Sequence, residues 1–222
     1  MKKYFKKDQI LTTIYPYIKG KEVLDIGCIE HTLENRNKER IWVHDFLREY
    51  AEHVTGIDIQ KDDIETLKKQ GYDVHHKNAE TFKFNKKFDI IFAGELIEHL
   101  SNPGLFLQQC YNHLMKDGYL ILTTPNAFNF RRLTKGCLFL TNDIPANSEH
   151  TSWYSPSVIR HLLKRYNFKI ETITYANAPN INFNVKSLII NSSCLILGNR
   201  LKETMIIIAR NESKNLHPLP YS

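Results

Sequence analysis

The segment Glu22-Val-Leu-Asp-Ile-Gly27 is a short apolar run that contains one acid and ends in a glycine. Such runs are typical of strands buried on both faces, as the strands of a parallel sheet are. Four later segments repeat the pattern, one of them more weakly than the others: Val54–Ile59, Tyr72–His76 (the weak one), Phe88–Ala93 and Tyr119–Thr124. We therefore expect these segments to be strands of one parallel sheet.

Helical patterns separate these strands. They cover Ile41–Glu52, Asp62–Gln70, Pro103–Met115 and Pro156–Arg165, and strands are expected again over Phe168–Tyr175 and Thr204–Ala209. Before the third helix, Ser101-Asn102 is a typical cap and Pro103 suits a first turn. The alternation predicts an α/β fold, with a doubly wound, mostly parallel, seven-stranded sheet that is Rossmann-like.

The composition is that of one globular domain over residues 1–222, with 42% hydrophobic and 24% charged residues. We expect residues 1–20 to form an N-terminal cap. The polar stretch after the fifth strand, residues 126–155, is too long for an ordinary connection and is predicted to be a substrate-binding insertion. The role of residues 178–198 stays open, because an insertion, a buried helix and a homodimer contact all fit their apolar pattern.

Charge and hydropathy exclude several classes of protein. No stretch of about 18 apolar residues occurs that could span a membrane. The basic start is followed by no apolar signal region, so we expect a cytoplasmic protein. The four cysteines form no C-x-x-C pair, which argues against a zinc ribbon or a redox motif. A net charge of +6 is compatible with an anionic partner and does not require one.

Informative residues are expected where strands end, because ligands of open α/β sheets bind beyond the carboxyl ends of the strands. Asp25 and Gly27 end the first strand, and Asp58 ends the second. Asn78-Ala79-Glu80 follow the third strand, and Gly94-Glu95 follow the fourth. An acid after a second strand can accept hydrogen bonds from ribose hydroxyls, and a glycine lets backbone approach a ligand closely.

Five motifs in order carry a resemblance to a known family: Val23-Leu-Asp-Ile-Gly-Cys28, Gly56-Ile-Asp-Ile59, Phe88-Asp-Ile-Ile91, Glu95-Leu-Ile-Glu-His99 and Thr123-Thr-Pro-Asn126. Over residues 20–175 the chain resembles class I S-adenosylmethionine-dependent methyltransferases. The resemblance implies that Asp25 and Gly27 hold the methionine end of the cofactor, that Asp58 holds the ribose, and that Asn78 and Ala79 hold the adenine. The full predicted set of cofactor-binding residues is Asp25, Gly27, Cys28, Asp58, Ile59, Asn78, Ala79 and Gly94.

The first loop departs from that family. The family's loop usually reads D-x-G-x-G, whereas here Ile29 replaces the second glycine. A β-branched residue does not readily adopt φ > 0, so we expect the loop to take another path, closed by Glu30, His31 or Trp42. A nicotinamide cofactor is disfavoured, because G-x-G-x-x-G is absent after the first strand.

The segment after the fourth strand supplies the candidates for catalysis. Glu95, Glu98 and His99 are spaced i, i+3 and i+4, which predicts that they share one face of a helical turn. We predict His99, His150 and Glu95 as the catalytic residues, with His99 as a general base. The other histidines, His44 and His113 among them, show no such convergence and are expected at the surface or at helix caps.

E-x-x-E-H followed by a later histidine also resembles two further groups of enzymes. One is the metal-dependent 2′-O-methyltransferases of small-RNA 3′ ends, in which two Glu and two His bind Mg²⁺, and the other is the O-methyltransferases of ubiquinone biosynthesis. That resemblance implies a divalent metal, with His150 as the fourth ligand. A metal-free site, in which Glu95 contacts the cofactor and His150 lines a pocket, is the alternative.

The predicted function is S-adenosylmethionine-dependent O-methylation. The segments Gly94–Gly104 and Glu149–Tyr154 resemble bacterial methyltransferases that modify sugars or polysaccharide precursors, which implies a small anionic or carbohydrate-like acceptor. Arg131, Arg132 and Lys135 could bind a pyrophosphate, and Trp153 could stack on a sugar or base. An RNA 2′-O-methyltransferase is the alternative enzyme, although no RNA-binding motif is appended. A catalytically silent cofactor-binding or scaffold subunit is the alternative from another class.

Overall fold

The computed structural model describes residues 8–30, 33, 41–130, 132–134, 147–177 and 199–212. The helices are α1 (Gln9–Ile18), α2 (Val43–Tyr50), α3 (Lys61–Lys69), α4 (Pro103–His113) and α5 (Pro156–Arg165). The strands are β1 (Glu22–Ile26), β2 (His53–Asp58), β3 (Val74–His76), β4 (Phe88–Gly94), β5 (Leu114–Pro125), β6 (Phe168–Ala176) and β7 (Thr204–Asn211). Two 3₁₀ turns cover Ile97–His99 and Asn199–Leu201.

The seven strands form one sheet in the order β3-β2-β1-β4-β5-β7-β6. Strands β1 to β5 pair in parallel, and β7 runs antiparallel to both β5 and β6. The predicted doubly wound, mostly parallel, seven-stranded sheet is therefore confirmed, with one antiparallel hairpin at its edge. The chain moves outward from β1 to β3 and returns at β4, so the strand order reverses between β1 and β4. A crevice is expected beyond the carboxyl ends of these two strands.

Apolar clusters cover both faces of the sheet. One face packs against α4 and α5, where Phe88, Phe106 and Leu163 are buried. The other packs against α1 and α2, where Ile14, Ile18 and Leu47 are buried. Helix α1 lies inside the predicted N-terminal cap. Because the central strands are covered on both sides, they read as continuous apolar runs in the sequence.

Helix boundaries follow local side-chain chemistry. The Asn102 side chain accepts a hydrogen bond from the Leu105 backbone N–H at 3.1 Å, which confirms the predicted cap of α4. Ser155 caps α5 in the same way through the Val158 N–H at 3.2 Å. A proline occupies the first turn of both helices, where a backbone N–H would have no partner within the helix.

Strand β5 begins five residues earlier than its sequence pattern predicts, at Leu114 instead of Tyr119. Its early part contains Asp117 in the left-handed region, with φ of 61°, and its pairing with β4 shifts register there. A Cβ on the next residue, Gly118, would lie 2.7 Å from the Asp89 carbonyl oxygen. The polar composition of this irregular stretch hides it from a search for apolar runs.

Candidate functional site

A cleft of about 260 Å³ lies at the carboxyl ends of β1, β2 and β4. Thirteen residues line it: Ile26, Gly27, Ile57, Asp58, Ile59, Lys77, Asn78, Ala79, Glu80, Leu96, His99, Leu100 and Ser101. Five of the eight predicted cofactor residues are among them, namely Gly27, Asp58, Ile59, Asn78 and Ala79. Of the predicted catalytic residues, His99 lies in this lining. The cleft therefore lies beyond the carboxyl ends of the strands where the strand order reverses, as expected for a doubly wound sheet.

Gly27 and Asp58 shape the floor of the cleft. Gly27 has φ of 79°, and a Cβ there would lie 3.3 Å from the Leu96 side chain, so a larger residue would be strained and crowded. The Asp58 carboxylate accepts hydrogen bonds from the backbone N–H groups of Ile29 at 3.1 Å and Gln60 at 3.0 Å. Each oxygen keeps further acceptor capacity toward a ligand. Burial raises the pKa of Asp58 while the backbone hydrogen bonds oppose that rise.

The loop after β1 shows how the chain accommodates Ile29. This residue is fully buried, and the left-handed conformation falls on the next residue, Glu30, with φ of 54°. The Trp42 indole N–H donates to the Cys28 carbonyl at 2.8 Å, and this hydrogen bond fixes the loop. Glu30 also accepts a hydrogen bond from the Val43 N–H at 3.3 Å. His31, the third residue predicted to close this loop, lies outside the described residues.

Asp25 sits beneath the cleft lining in a buried pair. Its Oδ2 lies 2.8 Å from Nδ1 of His44, and the two side chains are 4% and 0% exposed. The expectation that His44 lies at the surface or at a cap is therefore wrong. A Cβ on Gly56 would lie 2.8 Å from the His44 ring and 2.9 Å from the Cys28 sulfur, so the glycine leaves room for both side chains. Sequence spacing gave no signal for a pair that joins α2 to β1.

Cys28 and Gly94 also lie close to the cleft without lining it. Cys28 is buried, and burial raises the pKa of its thiol far above the usual range, with the Asp25 and Asp58 charges adding to the rise. The thiol is thus held neutral at physiological pH. Gly94 ends β4, where its ideal Cβ position is 3.1 Å from the Phe92 ring. Direct cofactor contact by these two residues and by Asp25 stays a prediction.

The predicted helical turn after β4 is wrong. Glu95 adopts the left-handed region with φ of 47°, and its N–H donates to both the carbonyl and the hydroxyl of Thr123, each at 3.0 Å. A 3₁₀ turn then covers Ile97–His99. Glu95 therefore does not share one helical face with Glu98 and His99. Competition from the Thr123 groups on β5, a tertiary contact, overrides the local i, i+3, i+4 pattern.

Thr151 joins the 3₁₀ turn to the segment that carries His150. Its N–H donates to the Glu98 carbonyl at 2.8 Å, and its hydroxyl lies 3.0 Å from that oxygen and 2.9 Å from the Leu100 carbonyl. These contacts bring His150 beside His99, with ring centroids 4.7 Å apart and planes at 88°. The two histidines predicted for catalysis thus meet at the edge of the cleft, although 51 positions separate them.

Ligand-type atoms of Glu98, His99 and His150 all lie within 4.8 Å of one another. The Glu98 side chain is 1% exposed, and its Oε2 accepts a hydrogen bond from the Thr124 hydroxyl at 3.0 Å. Glu98 Oε1 and His150 Nδ1 are buried and have no hydrogen-bond partner among the described residues. These two buried polar atoms are ones that a bound proton donor, cation or ligand would satisfy.

The side chains of Glu98, Glu95 and His150 have pKa values that their surroundings shift. Burial raises the pKa of Glu98 to about 7, and the Thr124 hydrogen bond opposes the rise. Desolvation by the surrounding protein and the Glu98 charge raise the pKa of Glu95, although the residue is exposed, which limits the desolvation. Burial and the neighbouring His99 lower the pKa of His150. His150 is therefore neutral near pH 7, as a base or a metal ligand must be.

Arg132 and Trp153 extend the site outward from His150. The Trp153 ring lies 5.6 Å from the His150 ring, and the Arg132 guanidinium carbon lies 3.5 Å from the Trp153 centroid. Arg132 Nη1 donates to the Asn126 carbonyl at 3.2 Å. The Asn126 side chain in turn donates to the carbonyls of Arg200 and Lys202, each at 2.8 Å. Arg131 and Lys135, the other basic residues predicted to bind a pyrophosphate, lie outside the described residues.

Further expectations have outcomes in the described residues. His113 is buried, so the expectation that it lies at the surface is wrong: its Nε2 accepts from the Phe84 N–H at 3.0 Å, and its Nδ1 donates to the Gln109 carbonyl in the last turn of α4. Cys110, like Cys28, is a buried free thiol. Among the helices of the described segments, none has both the length and the apolar character needed to cross a membrane. Residues 178–198, whose apolar pattern fits several roles, lie outside these segments.

Comparison with known proteins identifies the family to which the chain belongs. A family model described as a methyltransferase domain matches residues 4–173. A probable S-adenosylmethionine-dependent methyltransferase from Mycolicibacterium smegmatis is 25% identical over 155 residues, which is 68% of this chain and 53% of that protein. A ubiquinone biosynthesis O-methyltransferase from Glaesserella parasuis is 32% identical over 120 residues, 48% of this chain and 46% of that protein. The match thus spans about half the length of these relatives.

Solved structures agree in fold. An S-adenosylmethionine-dependent methyltransferase from Archaeoglobus fulgidus has a TM-score of 0.63 at 19% identity, with 94% of each chain covered. A methyltransferase structure from Listeria monocytogenes gives 0.63 at 14% identity, with 95% and 99% covered. The sheet and its cleft define a class I S-adenosylmethionine-dependent methyltransferase, as the motifs predicted. The chain belongs to the methyltransferase-domain family, and S-adenosylmethionine is the cofactor of its class.

Proposed function

We propose that the protein transfers a methyl group to a hydroxyl of a small, carbohydrate-like molecule, with His99 as the general base. One observation carries the proposal: His99 lines the cleft of the predicted cofactor residues and at the same time packs against His150. A histidine in this position faces both the cofactor cleft and the segment predicted to bind the acceptor.

The cleft suits the cofactor of the class. Gly27 leaves space that a Cβ would fill, Asp58 presents carboxylate oxygens, and the exposed side chain of Ile59 offers an apolar surface at the rim. Gly27 would lie against the methionine end, Asp58 at the ribose, and Asn78 with Ala79 at the adenine. Bound there, S-adenosylmethionine supplies an electrophilic methyl group on a sulfonium.

His99 would take the proton from the acceptor hydroxyl. Its Nδ1 lies 3.9 Å from a Glu149 carboxylate oxygen, which favours a proton on Nδ1 and leaves Nε2 to act as the base. The neighbouring His150, kept neutral by its lowered pKa, adds no positive charge beside His99. A positioned base of this kind contributes roughly 10²- to 10⁴-fold in rate.

The carbohydrate-like acceptor and the oxygen that accepts the methyl group have separate support. Trp153 is 37% exposed close to the two histidines, and an exposed indole suits stacking against a sugar ring. Several relatives carry the name ubiquinone biosynthesis O-methyltransferase, which supports oxygen as the accepting atom. We propose O-methylation on these grounds. The cytoplasmic location, the single domain over residues 1–222 and a homodimer stay predictions.

A divalent metal is the second candidate for activating the hydroxyl. The cluster of Glu98, His99 and His150 supports it, since two of its ligand-type atoms are buried and unsatisfied. Glu95, the second glutamate of the ligand set implied by the resemblance to RNA 2′-O-methyltransferases, is not part of the cluster. A bound Mg²⁺ would lower the pKa of a hydroxyl and so replace a strong base.

The test follows formation of the demethylated cofactor with a panel of acceptors: a nucleotide sugar, a phenol, and an RNA oligonucleotide with a free 3′ end. We expect turnover with the nucleotide sugar and a fall of 10²-fold or more in kcat for His99→Gln. His161→Gln, which changes an exposed histidine on α5, is the matched control and should leave kcat unchanged.

The outcome also separates the alternatives. Turnover that EDTA abolishes and Mg²⁺ or Mn²⁺ restores would favour the metal over the base. Methylation confined to the RNA 3′ end would overturn the carbohydrate-like acceptor. Cofactor binding without turnover on any acceptor would favour a catalytically silent subunit.

A further inference from the structure

Three aromatic rings run outward from the cleft in an unbroken series. The His99 and His150 centroids are 4.7 Å apart, and the His150 and Trp153 centroids are 5.6 Å apart. Both contacts are edge-to-face, with interplanar angles of 88° and 74°. The last ring, Trp153, is 37% exposed, whereas Trp42 is 5% exposed in the core. The series thus ends in an indole that is partly exposed to solvent.

A positive charge sits on that indole. The Arg132 guanidinium carbon lies 3.5 Å from the Trp153 centroid, a close cation–π distance. Its N–H group is tied to the Asn126 carbonyl, and its backbone N–H to the Asn129 side chain at 3.0 Å. The Arg132 charge also acts on the two carboxyl groups near His99, because it opposes the rise in the pKa of Glu95 and Glu98. The stack is therefore anchored and lies within electrostatic range of His99's neighbours.

The composition of this stack selects for one type of ligand. An exposed indole favours a ring that can stack on it, and a guanidinium favours a phosphate or carboxylate oxygen. Phe128 and Leu133, from the same part of the chain, are exposed apolar residues. Within the part of the chain that the structure describes, Arg132 is the cation stacked on this indole. One cation beside one aromatic ring suits a small ligand with one or two negative groups, whereas a polynucleotide needs a longer row of cations.

We propose that Arg132 and Trp153 form the outer acceptor subsite, which binds a ring-containing small molecule through stacking on the indole and an anionic substituent at the guanidinium. The inference rests on the proposed function, because it places the acceptor between this subsite and His99. It adds the two residues that determine acceptor specificity and the requirement for a negative group.

The probe for this subsite is UDP-glucose, measured by calorimetry on the full chain with the demethylated cofactor present. We expect binding that weakens at least 10-fold in Trp153→Leu and in Arg132→Gln, and less than 3-fold in Trp153→Phe, which keeps an aromatic ring. Methyl glucoside, a neutral probe, should bind weakly and equally to wild type and Arg132→Gln. Arg165→Gln removes the same charge at the far end of α5 and should change nothing.

Tryptophan fluorescence gives the position of the ligand. The chain has two tryptophans, and Trp42 is buried, so a change in emission on adding UDP-glucose that disappears in Trp153→Phe places the ring at residue 153. Three results would overturn the subsite: no binding of UDP-glucose at millimolar concentration, undiminished binding in both Trp153→Leu and Arg132→Gln, or tighter binding of a single-stranded RNA with a steep salt dependence.

The subsite and the proposed function can fail separately. Binding that follows the expected pattern without methyl transfer would leave the subsite standing and remove the nucleotide sugar as acceptor. Methyl transfer to the sugar with unchanged KM in Trp153→Leu and Arg132→Gln would leave the function standing and remove the subsite.

Discussion

Ile29 stands where this class of protein usually has a second glycine in its first loop. The structure places the left-handed conformation on Glu30 and buries the isoleucine, whose N–H donates to Asp58. The sequence predicted that a β-branched residue would force another path, because φ > 0 is costly for it. It could not show that Trp42 would fix the loop through the Cys28 carbonyl, since that contact depends on how α2 packs.

Glu98 makes the stability of the fold depend on pH. Its pKa is raised from an ordinary 4.5 to about 7, so the folded protein binds this proton more tightly than the unfolded chain does. The stabilising contribution is therefore fully present below about 4.5 and is lost as the pH rises through about 7. Glu98→Gln keeps a neutral hydrogen-bonding group and should escape this loss.

Urea unfolding at pH 5 and pH 8, in buffer with a chelator, measures the effect. Relative to wild type, Glu98→Gln should gain about 2–3 kcal/mol in free energy of unfolding between pH 5 and pH 8. Glu52→Gln, at an exposed position, is the control and should show no such gain. A difference between Glu98→Gln and wild type that is the same at both pH values would contradict the assignment of a raised pKa to Glu98.

The starts of the helices next to the site are predictable from the sequence, because local capping residues fix them. Asn102 caps α4 and Ser155 caps α5, and both caps stand in the sequence beside a proline. The turn after β4 was not predictable in this way. Glu95 leaves the helical pattern because Thr123 on β5 binds its N–H, and a contact 28 positions away gives no local signal.

Thr151 is the residue whose contacts hold the two histidines together. Thr151→Val keeps the shape of the side chain and removes the hydroxyl that reaches the Glu98 and Leu100 carbonyls. Each lost hydrogen bond is worth about 0.5–1.5 kcal/mol, which is enough to loosen His150 from His99. We expect kcat to fall at least 10-fold while the affinity for the cofactor changes less than 2-fold.

The conservative variant Thr151→Ser makes the test specific. It retains the hydroxyl and should restore kcat to within about 3-fold of wild type. Turnover is measured with the acceptor that the panel identifies, and cofactor affinity by calorimetry. Equal losses of kcat in Thr151→Val and Thr151→Ser, or a parallel loss of cofactor binding, would show that the hydroxyl does not position the histidine pair.

At the scale of the whole molecule, the order of strands places the functional residues at one edge of the sheet. Reversal of strand order between β1 and β4 brings Gly27, Asp58 and His99 to a common cleft. This much was predictable, because strand ends of a doubly wound sheet share an edge. The buried pair of Asp25 with His44 and the stack of Arg132 on Trp153 were not, since both join segments whose packing only the folded chain defines.

We propose that this cleft binds S-adenosylmethionine through Asp58. Calorimetry with the demethylated cofactor tests it directly, with Asp58→Ala and the milder Asp58→Asn as variants and Asp62→Ala, an exposed acid on α3, as the control. Asp58 also accepts hydrogen bonds from the backbone N–H groups of Ile29 and Gln60, so its replacement could disturb the loop. Thermal unfolding should therefore first show that the variants are folded.

We expect the wild type and Asp62→Ala to bind the demethylated cofactor. In Asp58→Ala we expect a loss of about 1.5–3 kcal/mol, roughly 10- to 150-fold in Kd, because charge-assisted hydrogen bonds to a ribose are lost. No heat of binding with the wild type, or equal affinity in folded Asp58→Ala, would contradict cofactor binding through Asp58.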